Sequence, residues 1–172
     1  MDNFTDLRLA IDKTAKDVVQ LLVKENKKLS TAESCTGGLI SAAVTAVSGS
    51  SSVFDLGICT YANSAKEKYL GVPAQVLKEH GAVSETTARL MAAGIRAAAA
   101  SDIGVSVTGI AGPTGGTPDK PVGTVYVGIS TADGDYAFLA YTDASEIPEQ
   151  NRREYIRLKT VLAALNAVKD KI

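Results

Sequence analysis

Two hydrophobic periods alternate along this chain, one near 3.6 residues and one of 2, and the alternation confines it to folds in which helices cover a sheet. Phe4, Leu7, Ile11, Val18 and Leu22 recur at helical steps, so the spacing predicts a first helix running to about Lys24. Residues 29–32 follow as a short strand and run into Glu33-Ser34-Cys35-Thr36-Gly37-Gly38. Beyond the glycines, residues 39–44 resume as a helix rich in small side chains, and 48–52 is polar and turn-like. Phe54, Leu56 and Ile58 alternate with Asp55 and Gly57 as on a strand ending near Tyr61-Ala62, with Asn63 capping a helix through Leu70. Pro73 fits the first turn of a short helix stopped by Gly81, and Ser84 with Glu85 opens one that contains Leu90, Met91 and Ile95.

Residues 103–108 read as a strand, whereas 109–118 hold too many glycines and prolines for anything but a loop. Val125, Val127 and Ile129 alternate on the next strand, Asp133-Gly134 supplies a turn, and 136–141 return as its hairpin partner. Ile156, Leu158, Val161, Leu162, Leu165 and Val168 line a last helix. A hairpin among interleaved helices and strands needs an antiparallel pair, so the expected architecture is a three-layer α/β/α sandwich with a mixed sheet. No repeat or low-complexity linker divides the 172 residues, which are read as one domain, 1–172.

Charge and composition exclude several classes of partner. Lys and Arg number 18 against 19 Asp and Glu, so no global positive field draws nucleic acid or anionic membrane. With three Phe, six Tyr and no Trp there are few platforms for stacking bases. No apolar run is long enough to span a bilayer, and the acidic N-terminus does not read as a secretory leader, so a cytoplasmic protein is expected. Cys35 and Cys59 form no CxxC and have no histidine close by in sequence. They read as reduced thiols and not as a disulfide framework or a metal site; Cys35 is either a reactive thiol or, as the default, a buried small hydrophobe.

Four segments can carry chemistry. The first, 33–38, sits between a strand and a helix, where free backbone N–H groups can hold an anion or oxyanion and glycines let a substrate come close. Ser34 there is either a nucleophile or a helix cap. The second is Tyr61-Ala62-Asn63-Ser64-Ala65-Lys66. Lys66 falls in the first turn of a helix, the unfavourable end for a cation; it is either a surface lysine or, if buried, an amine whose neutral form is favoured. The third is the loop from Thr108 to Thr117, which follows a strand and lacks the Lys-Ser/Thr pair of a P-loop. It is a phosphate-sized nest or a long connection. The fourth is Arg152-Arg153-Glu154-Tyr155-Ile156-Arg157, whose guanidinium groups suit a phosphate or carboxylate, or simply water. His80, the single histidine, reads as the end of a helix before Gly81, so a serine nucleophile here would draw on lysine as its base. A lysine working near neutrality must sit well below its free pKa of about 10.4, the direction in which burial acts.

Taken together, Ala32-Glu33-Ser34-Cys35-Thr36-Gly37-Gly38, Tyr61-Ala62-Asn63-Ser64-Ala65-Lys66 with Leu70-Gly71-Val72, Gly81-Ala82-Val83-Ser84, and Thr108-Gly109-Ile110-Ala111-Gly112-Pro113 through Lys120-Pro121-Val122-Gly123-Thr124-Val125 resemble the CinA C-terminal family. This is the nicotinamide-nucleotide amidase family of competence/damage-inducible CinA proteins, and the resemblance runs from about residue 10 to the C-terminus. It implies hydrolysis of nicotinamide mononucleotide to nicotinic acid mononucleotide and ammonia, without metal or cofactor. By the same resemblance Ser34 is the nucleophile, Lys66 its base and Tyr61 a supporting tyrosine. Backbone around Cys35, Thr36 and Gly37 would stabilise the oxyanion, while Thr108, Gly109, Gly112 and Arg153 would hold the nucleotide. The family's Gly-Asp before that arginine is missing here, where Asn151-Arg152 stand instead, and the preceding 145–150 is longer than the family's usual segment. Family members tend to pair, so a homo-oligomer acting on a small-molecule nucleotide is expected. The same residues also fit a nucleotide-binding module without turnover, or a Ser–Lys amidase of another substrate.

Overall fold

Every residue of the first strand, β1 (Leu29–Glu33), is buried, as a central strand covered on both faces must be. The computed structural model describes residues 3–140 and 142–172. It sets β1 between β2 (Phe54–Cys59) and β3 (Ile103–Gly109), parallel to both. β4 (Val125–Thr131) and β5 (Gly134–Leu139) extend the sheet antiparallel, in the order β2-β1-β3-β4-β5. Helices α1 (Asn3–Lys24), α2 (Leu39–Thr45) and α6 (Glu149–Lys169) cover one face. Helices α3 (Asn63–Leu70), α4 (Ala74–His80) and α5 (Glu85–Ala99) lie on the other side, with α5 against the sheet. The fold is the expected three-layer α/β/α sandwich with a mixed sheet.

Period-2 alternation sorts the strand side chains between two cores. Leu29, Val105, Val107, Val127 and Ile129 pack against Val18 and Leu22 of α1 and Val161 and Leu165 of α6. On the opposite face Ala32 meets Leu70, Leu77, Met91 and Ile95. That second face is lined by small residues because α5 comes very close: a Cβ at Gly128 would stand 2.3 Å from the Ala88 carbonyl oxygen. Ser106 Oγ donates to the same carbonyl at 2.6 Å.

Several boundaries differ from the sequence reading. Asn63 does not cap α3: Ala62 holds the extended cap position (φ −79°, ψ 154°) and Asn63 is already helical, so its side chain cannot reach back to the first amides. Pro73 is likewise the cap of α4 and not part of its first turn. Thr131 pairs with Gly134, so the hairpin turn is Ala132-Asp133, and Gly134 (φ +137°) opens β5. Gly109 ends β3 and is not part of the loop, and residues 50–52 form a short 3₁₀ turn. Ser84 caps α5 as expected, its Oγ accepting from the Thr87 amide at 3.2 Å. Tyr141, the end of the expected hairpin return, lies outside the described residues. Among the described residues no helix is long and apolar enough to cross a membrane.

Candidate active site

Strand alternation sends successive side chains to opposite faces, so at the carboxyl end of β1 Glu33 points toward α2 while Ser34 turns to the face of α3. Open α/β sheets place ligands at this edge. The Glu33 carboxylate is fully buried. Its Oε2 accepts from the amides of Gly38 (2.9 Å) and Ile40 (3.1 Å), and its Oε1 from the amide (2.8 Å) and hydroxyl (2.7 Å) of Ser41. This negative charge caps α2 from within and complements its dipole. Of the free amides expected here for an anion, those of Gly38, Ile40 and Ser41 are therefore already occupied, and Ser34 is not the cap.

Lys66 reaches Ser34 from α3. It is 1% exposed, on the same inward face as Leu70 four residues on. Its Nζ lies 3.2 Å from Ser34 Oγ and donates to the carbonyls of Thr60 (2.8 Å) and Tyr61 (3.2 Å). Among the described residues no carboxylate pairs with it. Burial pushes its pKa below the ordinary 10.5, opposed by the neighbouring thiols of Cys35 and Cys59. A neutral amine has two N–H groups and one lone pair. In that form, with the N–H groups on the two carbonyls, the lone pair would be left for the Ser34 hydroxyl.

The turn that carries Ser34 is held by its carbonyls. Arg157 donates from Nε to Cys35 O (3.1 Å) and from Nη2 to Thr36 O (2.7 Å), and the Gly37 amide donates to Ser34 O (3.1 Å). Gly37 adopts φ +63°, a left-handed conformation that residues other than glycine rarely take. Of the three amides expected to face an oxyanion, that of Gly37 is thus used within the turn. Those of Cys35 and Thr36 donate to no backbone carbonyl among the described residues. Arg157 belongs to the basic segment noted in the sequence, but its role was hidden because its acceptors are main-chain atoms about 120 positions away. Cys35 packs against Ala111, Val125 and Ile156, and burial pushes its thiol up to about 11.

The remaining residues gather in two places. Thr108 Oγ1 is buried and donates to Ala82 O at 2.7 Å. Gly109 pairs so tightly with β4 that a Cβ would lie 2.7 Å from Val125 Cγ2. Arg153 donates from Nη1 to Gly112 O (2.6 Å) and from Nη2 to the Tyr61 hydroxyl (3.3 Å). Tyr61 is 62% exposed, and its carbonyl, not its hydroxyl, meets Lys66. His80 is the exposed last residue of α4. Behind the Ser34 turn, a cleft of about 550 Å³ between α1, α2 and α6 is lined by Arg8, Leu39, Ala43, Arg153, Arg157 and Leu158 among others, but by neither Ser34 nor Lys66. Among the described residues no three His, Cys, Asp or Glu side chains gather as a metal site.

Fold and site together define a class: a three-layer α/β/α protein with a buried serine–lysine pair where the central strand turns toward a helix. Within that class, the profile of the CinA C-terminal domain matches residues 11–172, and the chain belongs to that family. It is 52% identical over 155 residues to a protein of Caldicellulosiruptor bescii named as competence-damage inducible, covering 90% of this chain and 36% of the relative. A CinA-like protein of Anaeromyxobacter is 48% identical over 152 residues, 88% of this chain and 35% of its own length. The chain thus spans about a third of the curated relatives it matches. Among solved structures, the competence/damage inducible protein CihA from Agrobacterium tumefaciens superposes with a TM-score of 0.84 at 41% identity, over 92% of this chain and 93% of that one. Competence damage-inducible protein A (ComA) from Klebsiella pneumoniae gives 0.86 at 33% identity, over 94% and 96%.

Proposed function

We propose that this chain is a nicotinamide-nucleotide amidase, hydrolysing nicotinamide mononucleotide to nicotinic acid mononucleotide and ammonia through Ser34 and Lys66. The observation that carries the reading is the Lys66 amine, buried with no carboxylate partner among the described residues and 3.2 Å from the Ser34 hydroxyl. Neutral Lys66 takes the hydroxyl proton as Ser34 Oγ attacks the carboxamide carbon. The Cys35 and Thr36 amides receive the oxyanion. As the tetrahedral intermediate collapses, the Lys66 ammonium returns its proton to the departing nitrogen, releasing ammonia and leaving an ester on Ser34. Lys66 then deprotonates a water, which attacks the ester carbon; the serine oxygen leaves and recovers its proton from Lys66.

Arg153 with Gly112 and Tyr61 forms the mouth that would hold the nucleotide, and Thr108 and Gly109 support its floor. Arg157 orients the Ser34 turn by holding its carbonyls. The experiment is ammonia release from nicotinamide mononucleotide by the wild type and by Ser34→Ala and Lys66→Ala. Each variant is expected to lose at least about 10³-fold in kcat, and the double variant to be little worse than either, because the pair acts as one unit. Wild-type rates in either variant would overturn the dyad.

A further inference from the structure

The Gly-rich arm between Pro113 and Lys120 is exposed except at Lys120, which is half-buried. Inside it, the Thr117 amide donates to Lys120 O (2.9 Å) and the Lys120 amide to Thr117 Oγ1 (3.1 Å). Among the described residues, the hydrogen bonds that leave 113–120 are both made by one group, the Lys120 ammonium. It donates to His80 O (3.1 Å) and Val83 O (2.7 Å).

Those acceptors bracket the connector between α4 and α5, where every carbonyl from 80 to 83 is taken. Gly81 O accepts from Ser84 Oγ (3.1 Å) and Thr87 Oγ1 (2.8 Å), and Ala82 O from Thr108 Oγ1 (2.7 Å). Thr108 lies on β3 before the arm and Lys120 ends it, so one short connector holds both the strand that leads into the arm and the arm's far end. A cation on the His80 carbonyl, the last of α4, is also where the helix dipole favours it. From Lys120 the chain passes through Pro121 to Val122, which fills the space above the arm's glycines. A Cβ at Gly112 would stand 2.6 Å from Val122 Cγ1, and one at Gly116 2.9 Å from the Val122 amide nitrogen. Gly112 in turn presents the carbonyl that Arg153 holds.

We propose that Lys120 is the latch of the Gly-rich arm, a positioning residue that acts through the carbonyls of His80 and Val83 to set Gly112 and Arg153 at the mouth of the Ser34 site. It touches no substrate. Its effect on binding rests on the amidase reading above, whereas the latch itself does not.

The test compares wild type, Lys120→Met and Lys120→Arg by steady-state kinetics with nicotinamide mononucleotide and by amide hydrogen exchange at Thr117, whose N–H is bonded within the arm. Lys120→Met is expected to raise KM about tenfold with kcat within about threefold, the signature of lost ground-state positioning. Its Thr117 amide is expected to exchange about tenfold faster than the wild type's, while exchange in β1 and β3 is unchanged. Lys120→Arg keeps donors for two carbonyls and is expected to restore both readings to within about threefold of wild type. Wild-type KM and Thr117 exchange in Lys120→Met, a fall in kcat alone, or Lys120→Arg exchanging as fast as Lys120→Met would each overturn the proposal. Should the wild type release no ammonia from the mononucleotide, the amidase reading fails and the exchange comparison alone decides the latch.

Discussion

Lys66 carries an energetic cost that a structural residue would not. A methionine would fill the same volume without a buried charge, yet the position holds an amine with two carbonyls and a serine hydroxyl as its surroundings. The cost has a pH signature. Burial holds the folded pKa below 10.5, the ordinary value that applies to the unfolded chain. Between the two values the unfolded chain binds the proton that the folded chain has released, so folding stability rises with pH across that window. Below the folded value the native state carries the buried ammonium and the penalty is at its fullest; above 10.5 it is gone. Calorimetry of Lys66→Met beside the wild type is therefore expected to show the variant's Tm advantage shrinking as pH climbs toward 10.5. A difference that stays flat with pH would mean that this amine is not held below its ordinary value. Cys35 next to Ser34 was legible from residue type alone, since a small thiol between a strand and a helix is usually packed away. With its pKa pushed up to about 11 by burial, the thiol stays protonated near neutrality.

Among elements, the junction of β1 and α2 depends most on one side chain. Each oxygen of Glu33 accepts two donors, three backbone amides and one hydroxyl in all. In Glu33→Gln, whichever way the amide is turned, its NH₂ faces two groups that can only donate or are already committed, at a side chain that is fully buried. The loss is expected to be about 2–4 kcal/mol, or a fall in Tm of roughly 5–15 °C for a chain this long. A Tm within about 2 °C of wild type would show that the carboxylate is not the cap of α2. This junction also shows where sequence reasoning stopped. Period-2 runs such as Val125, Val127 and Ile129 located the strands, because burial on alternate faces leaves a local trace. Glu33 left none: its partners are chosen by how α2 folds back over β1. Of the amides expected to meet an anion, those of Gly38, Ile40 and Ser41 are taken up by this carboxylate and that of Gly37 by the Ser34 carbonyl.

At the scale of the whole molecule, the topology does the assembling. β1 lies between β2 and β3, so the ends of three neighbouring parallel strands deliver Ser34, the Thr60–Tyr61 carbonyls that hold Lys66, and Thr108 to one edge. That convergence was readable as three strand-end motifs, each ambiguous alone and together resembling one family. Arg157 and Lys120 were not readable in the same way. Both act on main-chain carbonyls far away in sequence, of Cys35 and Thr36 and of His80 and Val83 respectively, and a carbonyl has no residue identity for a motif to record. The account turns on a neutral amine facing the serine hydroxyl. Its most direct test is an NMR pH titration of the Lys66 side chain in protein labelled at lysine Cε, with Lys66→Met used to assign the resonance. A midpoint clearly below 10.5 is the result expected; a midpoint at or above that value would contradict the assignment of Lys66 as the base.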